Sequence, residues 1–329
     1  MRKNVYFMEC TINTHKNMFN LGWQALYRAS VPEWPTWLAI VFCYGSWWSL
    51  GYWLYPVAPW VALAGLAIVV AFHSSLQHEA IHTHPTPSAL CNEVLLGLPL
   101  GLAYPYRRYR ETHLRHHDDE HLTDPHADPE SYYWDGNDWA KLGRVYRFLL
   151  SINQTLLGRL LLGPLLGSVR FFITDMRRIA AGNRGVALAW VIHAVSILIV
   201  AIIVTRGFHM SFWLYALGPA YIGTSLIGMR SFCEHRWHDA TGGRTVIVEG
   251  SLLSFLFLFN NLHSVHHRYP GQPWFRMRKL YYADRTAWLT LNHGYVFKGY
   301  RAILWQYLLR AKEPLLHPAQ QTSGEKHQS

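Results

Sequence analysis

The chain has 329 residues, half of them apolar, with 30 Lys and Arg against 20 Asp and Glu and four cysteines. That length suits one large domain or a compact membrane protein, and the apolar residues gather into long runs rather than spreading evenly. The excess of positive charge lies beside those runs, where anionic headgroups and the positive-inside tendency explain it and no nucleic-acid partner is needed. Cys10, Cys43, Cys91 and Cys233 form no CxxC pair, which leaves a thiolate zinc site and a disulfide framework unsupported.

Residues 1–34 open on a basic stretch, MRKNVYF, with no apolar core after it. They read as a cytoplasmic or interfacial segment rather than a cleaved signal peptide, so the first span inserts as a permanent anchor. Four segments are then long and apolar enough to cross: Trp37 to Val57, Trp60 to Gln77, Val186 to Val204 and Phe212 to Gly228. The first two sit back to back around Pro56 and Pro59, which predicts a tight helical hairpin. Two further stretches, Val94 to Tyr104 and Leu149 to Leu166, carry Gly, Pro or polar residues. They read as interfacial or re-entrant helices under a site. Residues 271–313 alternate aromatic and basic side chains, as cap helices on a membrane surface do. Residues 314–329 are polar and expected to be loose. The expectation is an all-α polytopic membrane protein of about four transmembrane helices, with a histidine-rich cytoplasmic cap and interfacial helices. Residues 35–270 form its catalytic domain.

The polar stretches between the runs hold the chemistry. In His78-Glu79-Ala80-Ile81-His82 the histidines are four apart, on one helical face and able to grip one metal. A zinc peptidase uses that spacing with Glu as base, but it needs only a third ligand and this chain offers many more. His113-Leu114-Arg115-His116-His117 and His263-Ser264-Val265-His266-His267 repeat one HxxHH pattern. These eight imidazoles, with His235 in Glu234-His235-Arg236 as a ninth, exceed the four ligands that zinc accepts and imply two ions. Iron or copper suits imidazole and activates oxygen, and two irons are the sharper expectation beside zinc. Glu79 and Glu234 adjoin ligands and are expected to hold histidine N–H groups. Asn260 and Asn261, in an apolar run just ahead of HSVHH, are expected to orient a ligand or a metal-bound water. His73 points away from HEAIH, His121 and His126 extend the cluster without a clear role, and Asp128 is one of several nearby acids.

Parity places these groups. One shared centre requires an even number of crossings between HLRHH and HSVHH, and Val186 to Val204 with Phe212 to Gly228 supplies two. Leu149 to Leu166 therefore does not cross alone. Arg107, Arg108, Arg110, Arg115, Arg177, Arg178 and Arg184 gather on the histidine side, which predicts a cytoplasmic face, here of a bacterial inner membrane.

The three boxes, His78/His82, His113/His116/His117 and His263/His266/His267, resemble those of the integral-membrane fatty acid desaturase superfamily, with His235 matching its additional ligand. The likeness covers Pro59 to Pro270. It implies two iron ions, O2 as co-substrate and electrons from a separate ferredoxin or cytochrome b5, since no HPGG motif is present. It further implies membrane lipids as surroundings and a lipid or aliphatic substrate. Ser231, four residues before His235, departs from the asparagine of acyl-CoA desaturases. The expected activity is an oxygen-dependent desaturase of a fatty acyl or similar chain. The alternatives are a hydroxylase or ketolase with the same centre, or a desaturase of a small amino-acid-like metabolite. From other classes, a zinc peptidase predicts hydrolysis without oxygen, and a metal transporter predicts a polar path through the spans. The segments Asp124 to Trp134 and Arg268 to Lys279 are candidates for headgroup or donor recognition.

Overall fold

The structure is a computed structural model that describes residues 32–118 and 120–319. The N-terminal segment up to residue 31 and the tail from 320 onward lie outside the described residues. Helix α1 (Trp34–Ser49) has Pro35 in its first turn, where the missing N–H is not needed, and runs on through a π turn at Leu50–Leu54. The chain reverses at Pro56, and Pro59 starts α2 (Pro59–Ile81), so the expected hairpin is present. Its seam is apolar, with Ile40, Cys43 and Trp47 against Leu66, Val69 and Val70. At the π turn a Cβ on Gly51 would stand 2.3 Å from Phe208, so only glycine lets the two segments approach.

Helix α3 (Ala89–Leu96) is capped by the Ser88 hydroxyl, which accepts from Cys91 N. Here the structure departs from expectation: beyond α3, Val94 to Tyr104 is not a helix. Gly97, Pro99 and Gly101 break it, and the chain continues irregularly to α4 (Tyr106–His116). Its backbone is satisfied from outside, because Tyr215 Oη donates to Leu100 O at 2.9 Å and His193 Nε2 to Leu102 O at 3.1 Å. Irregular backbone among apolar helices survives only with such partners. His193, the odd polar residue in its span, thus serves a carbonyl.

The stretch Leu149 to Leu166 also differs from its reading, since it is two helices. Helix α5 (Arg144–Asn153) stops at Gln154, and Thr155 caps α6 (Leu156–Ala180) by accepting from Gly158 N. Helix α6 extends well past Leu166 and turns at Gly182, φ +88°, into α7 (Arg184–Ile202), which a π turn carries on to Gly207. Three helices among the described residues are long and apolar enough to cross a membrane: α2, α6 and α7 with its π turn. Two of the four expected spans are in this set, and α6 was not expected in it. A short helix at Phe212–Tyr215 and a π turn at Ala216–Ala220, with Pro219 inside, lead into α8 (Tyr221–Glu234). A buried ion pair ties three helices together. Arg108 holds both oxygens of Asp175 at 2.9 Å, and Trp190 Nε1 donates to the same carboxylate.

The C-terminal part wraps one end of this bundle. Two two-residue strands pair in parallel, β1 (Ile247–Val248) with β2 (Val296–Phe297), beside α9 (His263–Arg268), α10 (Trp274–Ala283) and α11 (Tyr300–Tyr307). The segment expected to be loose from Pro314 begins ordered. Trp134 N donates to Leu315 O, His317 N donates to Trp134 O, and the buried His317 ring lies between Tyr133 and Trp237.

Candidate metal centre

Four places in the chain feed one site at the end of the bundle: the last turn of α2 with its cap His82, the end of α4, the residue after α8, and α9. Eight imidazoles sort into two groups of four, His78/His82/His113/His266 and His116/His235/His263/His267, with the ligand atoms of each group within 4.8 Å of one another. His117 lies between them, 3.0 Å from His113 and 3.1 Å from His266 by their Nε2 atoms, and stacked on the His267 ring. All nine predicted histidines therefore meet. His235, read from sequence as an extra ligand, is a full member of one four-histidine group, and His117 is the one that bridges.

The contacts are those of a metal site rather than of a hydrogen-bonded core. His235 Nε2 lies 2.9 Å from His116 Nε2 and 3.0 Å from His263 Nε2. An imidazole nitrogen has one proton or one lone pair, so it satisfies one such neighbour and not two. His117 Nε2 poses the same problem with His113 and His266. His82 Nε2 is buried with no protein partner. A cation shared among these nitrogens resolves all three cases.

The far sides of the rings are held. His116 Nδ1 donates to Asp128 Oδ1 at 2.8 Å, and Asp128 is itself fixed by the backbone N–H groups of Thr123 and Glu130. His113 Nδ1 donates to Glu130 at 2.8 Å. Asn260 accepts from His263 Nδ1 at 3.0 Å, and its amide nitrogen lies 3.3 Å from His78 Nε2, so it touches one histidine of each group. Glu234 pairs with Arg230 at 2.7 Å and lies 3.6 Å from His263 Nδ1. Glu79 is 4.0 Å from His78 Nδ1 and instead accepts from Trp274 N, fixing the start of α10. Asn261 does not face a histidine; it donates to Val248 O and anchors β1. Glu130, two residues past Asp128, was missed by the sequence reading. His73 contacts Tyr44 at 3.2 Å, His121 pairs with Asp118 in the open, and His126 is exposed, so none of the three joins either group.

Electrostatics follow from burial and neighbours. Burial holds His117, His235, His263 and His266 well below the ordinary imidazole value, and the adjacent imidazoles add to it. For His116 burial also lowers the value, but the Glu130 and Asp128 carboxylates outweigh it and push it up to about 9. Neutral imidazoles are what a metal requires. Beside His235 is a cavity of about 200 Å³, lined also by Tyr132, Ser231 and Arg159.

Apolar helices long enough to cross a bilayer, with two adjoining histidine groups suited to a pair of metal ions, define a membrane metalloprotein of the histidine-box kind. The family model for fatty acid desaturases matches residues 52–299, and the chain belongs to that family of di-iron desaturases and hydroxylases. Comparison with curated proteins finds no match for this chain.

Proposed function

We propose that this protein is an oxygen-dependent desaturase that introduces a double bond into a fatty acyl or similar aliphatic substrate. Two iron ions would be held by His78, His82, His113, His116, His117, His235, His263, His266 and His267. The observation that carries this reading is the doubled Nε2 contact at His235 and again at His117, which a shared cation satisfies and a proton does not. Bound iron supplies the reductive activation of dioxygen and the removal of hydrogen from an unactivated carbon. The chain's own residues do the rest. Asp128, Glu130 and Asn260 fix ring orientation and tautomer, and burial of the histidines keeps bulk water from the reacting carbon. The cavity beside His235 is where a substrate carbon would be positioned.

Electrons would come from a separate ferredoxin or cytochrome b5. Because histidines of α4 and α9 share one group, an even number of crossings separates them. Helix α7 and the helical stretch from Phe212 to Glu234 that ends in α8 would supply two, so α6 would lie along the surface, in keeping with Arg170, Asp175, Arg177 and Arg178 on it. The arginines on the histidine side favour a cytoplasmic face, in a bacterial inner membrane. The test is reconstitution of the iron-loaded protein with reduced ferredoxin, oxygen and membrane lipid, followed by mass analysis. Loss of two hydrogens from an aliphatic chain is the expected product. Gain of one oxygen would assign the centre to hydroxylation instead, and oxygen-independent peptide cleavage would sink both.

A further inference from the structure

The cavity lined by His235 is also lined by Arg159, on α6. This guanidinium has no carboxylate partner among the described residues. Its Nε makes one long bond, 3.4 Å, to Asn153 O, and its charge sits about 6 Å from the rings of Tyr132 and Phe232. Lys312 stands over the same two rings and donates to His235 O and Tyr295 Oη; burial lowers its ammonium to about 7, so it brings no negative charge to balance Arg159. The acids that line the cavity are engaged elsewhere: Asp128 with His116, Glu130 with His113, and Glu234 with Arg230. Ser231 also lines it, its hydroxyl making only a long 3.4 Å contact with Gly228 O. A half-buried cation that lines a cavity with no carboxylate paired to it is costly, and the cost is met when a ligand brings a negative charge into contact with it.

We propose that Arg159 anchors the carboxylate of the substrate, and that the substrate is a short aliphatic carboxylic acid oxidised within a few carbons of that group. The proposal rests on the oxidase reading above and narrows its substrate. A guanidinium offers a planar fork that matches a carboxylate in two bonds, and Ser231 adds a further donor. The cavity is smaller than the usual range for drug-sized ligands, which favours a compact acid. His235 and Arg159 line the same space, so a small acid held by Arg159 shares that cavity with His235.

Hexanoate is the probe, with hexanamide as its neutral isostere, titrated by calorimetry into the detergent-solubilised protein with and without iron. Hexanoate is expected to bind saturably and hexanamide at least about tenfold more weakly. Arg159→Met should weaken hexanoate by about 10- to 100-fold, the loss usual for a charged hydrogen-bonding partner. The same variant should melt no lower than the parent, because it removes a half-buried charge with no carboxylate paired to it; a merely structural arginine would predict the reverse. Should Arg159→Met fail to fold, Arg159→Lys, which keeps charge but loses the fork, is expected to bind hexanoate with intermediate affinity. Equal binding of hexanamide, an unchanged affinity in Arg159→Met, or displacement of hexanoate by equimolar phosphate would each overturn the assignment. Iron content is measured on the same samples. A chain that takes up no iron defeats the oxidase reading whatever hexanoate does, whereas an iron-loaded chain indifferent to hexanoate defeats only the anchor.

Discussion

Asp128 gathers three donors, His116 Nδ1 and the backbone N–H groups of Thr123 and Glu130, and so presents a charged acceptor at a fixed angle to one ligand ring. Replacing it by Asn removes the charge while keeping the size. Iron retained after dialysis against a chelator is expected to fall, with affinity reduced about 10- to 100-fold as for other partners of ligand histidines; full retention would show that His116 needs no such hold. The imidazoles also set an acid limit. His117, His235, His263 and His266 lie below their ordinary 6.5, so the unfolded chain takes up protons there that the folded metal-free protein refuses. Their contribution to stability is full above pH 6.5 and is lost as pH falls below it. His116, raised to about 9, acts in the opposite sense: its contribution is full below 6.5 and lost as pH rises through 9. Of these five, only the first four change below 6.5, and the melting temperature of chelator-treated protein is expected to drop steadily from pH 6.5 to 5. A flat profile would contradict this. At this scale the histidines that meet were legible because imidazoles three or four apart on a helix share a face. Glu130 was not, since its approach depends on the turn through Pro129 and not on any period. Asn260 and Asn261 are neighbours in sequence that face different ways, and no pattern in the apolar run told which one meets the histidines.

Elements are joined at places where glycine permits contact. A Cβ on Gly223 of α8 would stand 2.6 Å from Val70 and 2.7 Å from Ala67 O, on α2. Those two helices carry His78 and lead to His235, one from each metal group. Gly223→Val is therefore expected to push α8 off α2, costing about 1–3 kcal/mol of stability. It should also loosen the second group relative to the first, read as a lower melting temperature and less than two irons per chain. Unchanged values in both would mean that α2 yields without effect. The hairpin of α1 and α2 was readable because Pro56 and Pro59 bracket a break between two apolar runs. The stretch from Leu149 was misread as one helix because Thr155 acts as a cap inside it, and a threonine in an apolar run does not announce that role. The stretch from Val94 was misread because its carbonyls are served by Tyr215 and His193, residues far along the chain.

At the scale of the whole molecule, the count of apolar runs and the meeting of the histidines pull in different directions. Length and composition admit α6 as a span, yet α4 and α9 share one cluster and so sit on one side of the bilayer. Composition is a local property and topology is not, which is why the sequence could settle the class of the protein while leaving the path of α6 to be argued from convergence. The fold was legible as helical and apolar from its runs alone. The small parallel β1–β2 pairing and the strap formed by Leu315 to His317 were not, because each needs partners more than forty residues away.

The division of α9 between the two histidine groups has a consequence in time. One group includes His266 and the other His263 and His267, so neither is complete until the last of the three boxes has left the ribosome. The residues of the two earlier boxes alone complete neither group, so a metal site built from either group would have to await the last box.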